Sequence, residues 1–190
     1  MVIFTISDRK KRNYMGKKTI EKMGKRLAWL LRHDKQALQD GIIDKNGWRL
    51  VSDLIKEHGY SYELLDEIVE TNDKKRYEYN DNKVCIRARQ GHSINVDVEL
   101  DEVVPPNVLY HGTYTHALKS IYKLGILKGK RLYVHLSENR ETALNVGSRH
   151  GTPYVLEIDT EQMYKDGIKF YMSNNGVWLT EKVERKYIKN

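Results

Sequence analysis

This chain of 190 residues has one cysteine, three prolines and two phenylalanines. A single thiol, Cys85, excludes an internal disulfide and any zinc site built on paired cysteines, so a reducing, cytoplasmic setting is expected. No apolar run approaches the roughly 18–20 residues a membrane-spanning helix needs. Lys10-Lys11-Arg12 is not followed by an apolar stretch either, so neither a membrane span nor a secretory leader is expected. The glycine-rich phosphate loops are missing: there is no Walker sequence and no Gly-x-Gly-x-x-Gly. There is no His-Glu-x-x-His and no close carboxylate cluster, so no metal site is expected, and no Gly-x-Ser-x-Gly elbow offers a nucleophile. The chemistry left over is that of arginine and histidine.

Those residues are plentiful and grouped. Lysine and arginine number 33 against 26 acidic residues, a formal charge of +7, and 13 tyrosines accompany them. That balance suits a polyanionic partner, nucleic acid foremost. Three clusters combine arginine with histidine: Leu31-Arg32-His33, Ile86-Arg87-Ala88-Arg89-Gln90-Gly91-His92-Ser93, and Gly147-Ser148-Arg149-His150-Gly151. A guanidinium fork matches the oxygens of a phosphate, and glycine lets backbone N–H groups approach an anion closely. One cluster alone reads equally well as a solvated basic strand end. Three on one small chain point to a phosphate site.

The order of elements predicts an α+β chain. Ile20, Met23, Leu27, Leu30 and Leu31 recur at helical spacing, so 20–33 reads as an amphipathic helix with Thr19 as its N-cap. Asp44-Lys45-Asn46-Gly47 is turn chemistry, followed by Trp48 as a core plug. Ser52 caps a short helix ending near Gly59, and Ser61 caps another with Leu64, Leu65, Ile68 and Val69 on one face. A hairpin follows: Tyr77 and Tyr79 alternate on one arm, Asn80-Asp81-Asn82 turns, and Val84, Ile86 and Ala88 face the core from the other. Cys85, Arg87 and Arg89 then point away from the core. Three helices and a β-hairpin wing make a winged-helix pattern over 18–104, preceded by a disordered basic arm over 1–17. Pro105-Pro106 marks the domain boundary, and short strands with few helices over 105–190 read as a second compact α+β lobe, with Trp178 in its core.

Six motifs then occur in order: Leu31-Arg32-His33, Asp44-x-x-Gly47-Trp48, Ile86-Arg87-Ala88-x-Gln90-Gly91-His92-Ser93, Leu109-Tyr110-His111-Gly112-Thr113, His135-Leu136-Ser137 and Gly147-x-Arg149-His150-Gly151. Together they closely resemble the NAD-dependent RNA 2′-phosphotransferases over about residues 20–185. The resemblance implies a winged-helix RNA lobe followed by an ADP-ribosyltransferase-like lobe, acting as a monomer on 2′-phosphorylated RNA with NAD+ as co-substrate and no metal. It maps a catalytic Arg-His-Arg-Arg group onto Arg32, His33, Arg87 and Arg149. His111, Gly112, Thr113, His135, Ser137 and Val177 fall at NAD+-binding positions, with Val177 third in a His-His-Val set. Taken singly, His111 or His135 reads as an ordinary strand histidine and Val177 as a core valine; the ordered motifs carry the sharper reading. Arg89, Gln90, His92 and Ser93 are expected at the RNA phosphate, with capping of the wing the other reading of His92 and Ser93. The family commonly has proline two residues after the histidine, whereas this chain has His33-Asp34-Lys35, which is expected to loosen the loop there.

The implied reaction has two steps: attack of the RNA 2′-phosphate on the ribose carbon of NAD+, expelling nicotinamide, then attack of the ribose O2″ on phosphorus. The products are 2′-OH RNA and ADP-ribose 1″,2″-cyclic phosphate. Two other readings share these residues: an ADP-ribosyltransferase that caps phosphorylated nucleic-acid ends, and a non-catalytic winged-helix RNA-binding protein. The intact set of Arg32, His33, Arg87 and Arg149 argues against the last.

Overall fold

The structure is a computed structural model that describes residues 6–149 and 151–189, with side chains from residue 16 onward. It is mixed α+β and divides into two units, Met1–Val96 and Asp97–Asn190.

The first unit runs α1 (Ile6–Arg32), α2 (Lys35–Gln39), β1 (Arg49–Leu50), α3 (Val51–His58), α4 (Tyr62–Glu70), β2 (Tyr77–Tyr79) and β3 (Cys85–Ala88). Its three strands form one antiparallel sheet in the order β1-β3-β2. Leu27, Leu30 and Leu31 of α1 pack with Val51 and Leu54 of α3, Leu65 and Ile68 of α4, and Tyr77, Ile86 and Ala88 of the hairpin. That stripe is the helical periodicity read from the sequence, with Ile20 and Met23 partly buried beside it. The helix is longer than expected. It begins at Ile6, so Thr19 lies inside it and not at its cap, and most of the arm expected to be disordered is helical. No proline interrupts 6–19, and Gly16 is the one glycine there. Residues 1–5 of that arm lie outside the described residues.

Three local expectations change. The loop after His33 is not loosened: Asp34 caps α2, its side chain accepting from Ala37 N at 3.1 Å, and Lys35 stands at the first helical position, where proline would otherwise be favoured. Helix α3 starts one residue before Ser52 and has Leu50 at its N-cap with no side-chain bond, whereas Ser61 caps α4 as expected. In the hairpin, Tyr77 pairs with Ala88 and Tyr79 with Ile86, but Val84 falls outside the paired register and is 46% exposed.

The second unit runs β4 (Asp101–Glu102), β5 (Val108–Tyr114), α5 (Leu118–Leu124), β6 (Ile126–Leu127), β7 (Val134–Leu136), α6 (Arg140–Gly147), β8 (Pro153–Asp159), α7 (Thr160–Lys165), β9 (Tyr171–Met172), β10 (Trp178–Thr180) and β11 (Lys182–Val183). It begins ahead of Pro105-Pro106, because β4 already pairs with β9 in the sheet β4-β9-β10-β7. Strands β5 and β8 form a long antiparallel pair, β6 pairs with β11, and an isolated bridge between Tyr110 and Ser137 ties β5 to the end of β7. Leu109, Leu136, Leu156, Ile158, Met163, Phe170 and Trp178 fill the core. Trp178 also donates through Nε1 to Glu138 Oε1 at 2.8 Å.

Helix α6 lies on β5 with backbone against backbone. A Cβ on Gly112 would stand 1.8 Å from the carbonyl oxygen of Ala143, and one on Gly147 2.3 Å from that of Thr113. Both glycines are therefore demanded by close approach, and no side chain can relax to make room. Gly112→Ala is expected to destabilise this unit by at least about 2 kcal/mol. Gly24→Ala is the contrast: its new Cβ meets only Ile68 Cγ2 at 3.6 Å within a helix, so stability should hold or rise by up to about 1 kcal/mol. Urea unfolding of the two variants measures both; equal midpoints would refute the close-approach argument.

Candidate functional site

The first unit gathers its cations around one buried ring. His92 is 1% exposed, and its pKa is pushed down to about 3, chiefly by burial and then by the charges of Arg32, His33 and Arg87. Three residues from two distant segments thus sit within electrostatic reach of one imidazole, which stays neutral at working pH. Arg32 ends α1, and its carbonyl accepts from Ser93 N at 2.9 Å and from Ile94 N at 3.3 Å. Ser93 Oγ is 2.9 Å from His33 Nδ1. Gly91 has φ +87°, and a Cβ there would touch the Arg32 guanidinium at 3.5 Å. The strand end after β3 is thereby sewn to the end of α1, which brings Arg32, His33 and Arg87 together. His92, expected at the RNA phosphate or as a cap of the wing, is buried beside these three side chains. Gln90 and Ser93 are half-buried at the strand end.

Arg87 points away from the core as alternation requires, yet it is only 7% exposed. Its Nε donates to Glu78 Oε1 at 2.7 Å, its Nη1 to the Asn46 carbonyl at 3.3 Å, and its guanidinium carbon lies 4.3 Å from the centre of the Trp48 ring. Arg89 shares the same carboxylate, its Nε 3.1 Å from Glu78 Oε2. Trp48 is therefore no core plug: it is half-buried and stacks on Arg87.

Arg49, unremarked in the sequence, supports the C-terminal end of α1 through Asp34 and the Leu30 carbonyl. It is 3% exposed, with Nε 2.5 Å from Asp53 and Nη1 3.2 Å from Asp34 and 3.4 Å from the Leu30 carbonyl. Its Nη2 donates to His58 Nε2 at 2.7 Å, and burial, then Arg49, hold His58 below its ordinary pKa. Losing one partner of such a buried pair costs about 3–5 kcal/mol. Nothing in the local pattern, a charged residue after tryptophan, marks Arg49 as buried.

The second unit holds the other set. A backbone carbonyl can only accept, so His111 Nδ1 donates to the His135 carbonyl at 3.0 Å and leaves Nε2 as an acceptor. Burial pushes the His111 pKa down, which keeps that ring neutral. Arg131 Nη1 stands 2.6 Å from His135 Nδ1. A guanidinium has only donors, so Nδ1 accepts and the His135 proton sits on Nε2. Desolvation and the charge of Arg149 both lower the Arg131 pKa, which places the exposed Arg149 in the same neighbourhood. Arg131 is a second residue that sequence reasoning missed, for want of any motif around it. His150 lies outside the described residues.

The remaining second-unit positions divide. Ser137 exchanges backbone hydrogen bonds with Tyr110 at 2.8 and 2.9 Å, which sets His135 and His111 on adjoining strands. Val177 is half-buried, and its N–H donates to Ser173 Oγ at 3.1 Å. Gly112 and Thr113 serve packing first, under α6. The group offers one imidazole acceptor, one imidazole donor and two arginines. Among the described residues, no group of three His, Cys, Asp or Glu side chains could hold a metal ion, and no helix is long and apolar enough to cross a membrane.

The family described as RNA 2′-phosphotransferase, Tpt1 / KptA family, matches residues 18–182. Relatives named probable RNA 2′-phosphotransferase are similar over nearly their whole length. That of Fusobacterium nucleatum is 49% identical over 174 residues, 88% of this chain and 97% of the relative. That of Flavobacterium johnsoniae is 46% identical, covering 92% and 98% respectively. One from Escherichia coli is 42% identical, covering 90% and 96%.

The His92 environment sets a pH dependence of stability. Its folded pKa of about 3 lies below the ordinary 6.5, so the unfolded chain takes up the proton first as pH falls. Its contribution is complete above pH 6.5 and is lost progressively towards pH 3. Between pH 7 and pH 5 His92 alone is expected to cost about 2 kcal/mol. Chemical denaturation at the two pH values checks this: His92→Gln should lose that much less stability than the wild type on acidification, and equal losses would refute the assignment.

Proposed function

This chain belongs to the RNA 2′-phosphotransferase family, the Tpt1/KptA family, and from that membership we propose that it is an NAD+-consuming enzyme that removes an internal 2′-phosphate from RNA. The observation that carries the proposal is the convergence of Arg32, His33 and Arg87 around a neutral, buried His92. Two guanidinium forks and an imidazole gathered at one strand end match the oxygens of a phosphate. The first unit is the RNA lobe. Its helix–strand–helix–helix–hairpin order, with β1 paired to β3 and β3 to β2, supports the winged-helix reading. The second unit is the ADP-ribosyltransferase-like lobe, and its paired short sheets support that reading. The single cysteine fits a reducing, cytoplasmic compartment.

A phosphate monoester has a second pKa near 6, so it is already a nucleophile at neutral pH and needs positioning more than a base. Arg32 and Arg87 hold it. A phosphate oxygen bonds to the ribose carbon of NAD+ as the bond to nicotinamide breaks, and nicotinamide leaves with the electron pair. His111 and His135, in their two fixed tautomers, with Ser137 and Val177 beside them, hold the nicotinamide riboside. In the second step the ribose O2″ attacks phosphorus, its proton passing to solvent, and the RNA O2′ departs with the electrons of the broken P–O bond. Arg149 stabilises the phosphoryl charge, and His33, its ring held by Ser93, gives a proton to the departing oxygen.

Incubation with 2′-phosphorylated RNA and NAD+ is expected to release nicotinamide and yield 2′-OH RNA and a cyclic phosphate, at a rate that EDTA leaves unchanged. Arg87→Ala should be nearly inert, losing at least roughly 10²-fold, the usual cost of one donor to a transition-state charge. Arg149→Ala and His33→Ala should instead accumulate 2′-phospho-ADP-ribosylated RNA. A gel time course on labelled RNA resolves these species. If the wild type stops at the ADP-ribosylated RNA, the chain is a capping transferase; if no variant ever shows that species, the step assignment is wrong.

A further inference from the structure

Trp48 and the turn that carries it have no part in the chemistry above, yet they are built with care. Asp44 Oδ1 accepts from Asn46 N at 2.9 Å and from Trp48 N at 2.8 Å. Asp44 N donates to the Trp48 carbonyl at 3.0 Å, Gly47 N donates to the Asp44 carbonyl at 3.0 Å, and Gly47 takes φ +83°. The turn is thereby locked by four hydrogen bonds over five residues, and only glycine accepts its backbone at 47 without strain. Its two products both land on Arg87: the Asn46 carbonyl on Nη1 and the Trp48 ring on the face of the guanidinium. Glu78, on the neighbouring strand and directly opposite Arg87 in register, takes the third side at Nε.

We propose that the Asp44–Trp48 turn and Glu78 form a clamp that fixes the plane of the Arg87 guanidinium, and that Trp48 and Glu78 are positioning residues for the phosphate-transfer reaction. The proposal rests on the reading of Arg87 as a phosphate ligand. A free arginine side chain has four rotatable bonds, and a bidentate contact to a phosphoryl group tolerates little tilt. Three contacts from three directions, on the edge, on one nitrogen and on the face, leave the guanidinium one orientation. Trp48 lies outside both hydrophobic cores, so its place on Arg87 is not a by-product of core filling. Glu78 bears one negative charge for the two arginines it touches, so it also lets Arg87 and Arg89 stand side by side.

Charge and positioning make opposite forecasts for Glu78→Gln, which decides between them. If Glu78 acted only through its charge, removing it would make the site more positive, lower KM for the RNA and leave kcat alone. A positioning role lowers kcat and leaves KM nearly unchanged. The experiment is steady-state kinetics of the full chain on 2′-phosphorylated RNA at saturating NAD+, with thermal unfolding of each variant alongside. Glu78→Gln and Trp48→Leu are each expected to lose about 10–100-fold in kcat, the range seen when a residue that orients a functional ligand is removed. Trp48→Phe keeps an aromatic face for the guanidinium and should recover most of the loss. Full kcat in Glu78→Gln or Trp48→Leu, a change confined to KM, or a Trp48→Phe variant as slow as Trp48→Leu would each overturn the clamp. Arg87→Ala is the control on the underlying reading: if it keeps the wild-type rate, Arg87 is not the phosphate ligand, whereas an inert Arg87→Ala beside fast clamp variants refutes the clamp alone.

Discussion

Repulsion between gathered cations is the constraint on which the first unit turns. Two unit charges 4 Å apart near a protein surface interact by about 4 kcal/mol, comparable to a large share of a small domain's net stability. Arg32, His33 and Arg87 all act on the His92 ring, and Arg89 stands beside Arg87. The fold answers in two ways. His92 stays neutral because burial disfavours its charged form, so it adds no charge of its own beside Arg32, His33 and Arg87. Glu78 is shared between Arg87 and Arg89, one carboxylate quenching two guanidinia. The strand end is held to α1 mainly by neutral contacts, the Arg32 carbonyl receiving Ser93 and Ile94 and the His33 ring meeting Ser93.

Arg49 makes the same bargain one layer deeper. A guanidinium buried to this degree needs its donors met, and Asp34, Asp53, His58 and the Leu30 carbonyl meet them. Because Asp34 also caps α2, the residue that follows Arg32 and His33 is fixed from two sides. The turn after α1 can therefore do without the family's proline: a capped helix start and a buried ion pair restrict the same bonds that a pyrrolidine ring would. In the second unit the controlling term is steric. Gly112 and Gly147 let α6 lie on β5 at backbone distance, and His111, next to Gly112 on that strand, bonds instead to the His135 carbonyl of β7.

Much of this was legible along the chain. The stripe from Ile20 to Leu31 named the core face of α1, and the alternation through Ile86 and Ala88 placed the arginines on the opposite face. The capped start at Ser61 and the αL glycine at 59 carry their own local chemistry, so short-range rules found them. What escaped was whatever depended on partners far away. Val84 shares the parity of Ile86 but falls outside the ladder, since the turn takes up one more residue than alternation assumes. Trp48 reads as core by composition, and only the position of Arg87, some forty residues on, makes it a stacking face for the guanidinium. Helix α2 is too short to show a period, and Arg49 and Arg131 belong to no motif.

The sequence by itself determined much of the inventory and its order: the core face of α1, the capped start of α4, the paired arms of the hairpin, and the six motifs that succeed one another. Those are local properties, set by periodicity, capping and residue chemistry within a few positions. Tertiary structure alone decided which charges neutralise which, that His92 and His111 are buried and neutral, and through which nitrogen His111 and His135 each offer a proton. Protonation and orientation follow from burial and from partners 24 to 60 residues away along the chain, as between His111 and His135 or His33 and Ser93. Such partners have no footprint in a short window of sequence, because the dielectric and the hydrogen bonds that set them exist only once the chain has closed on itself.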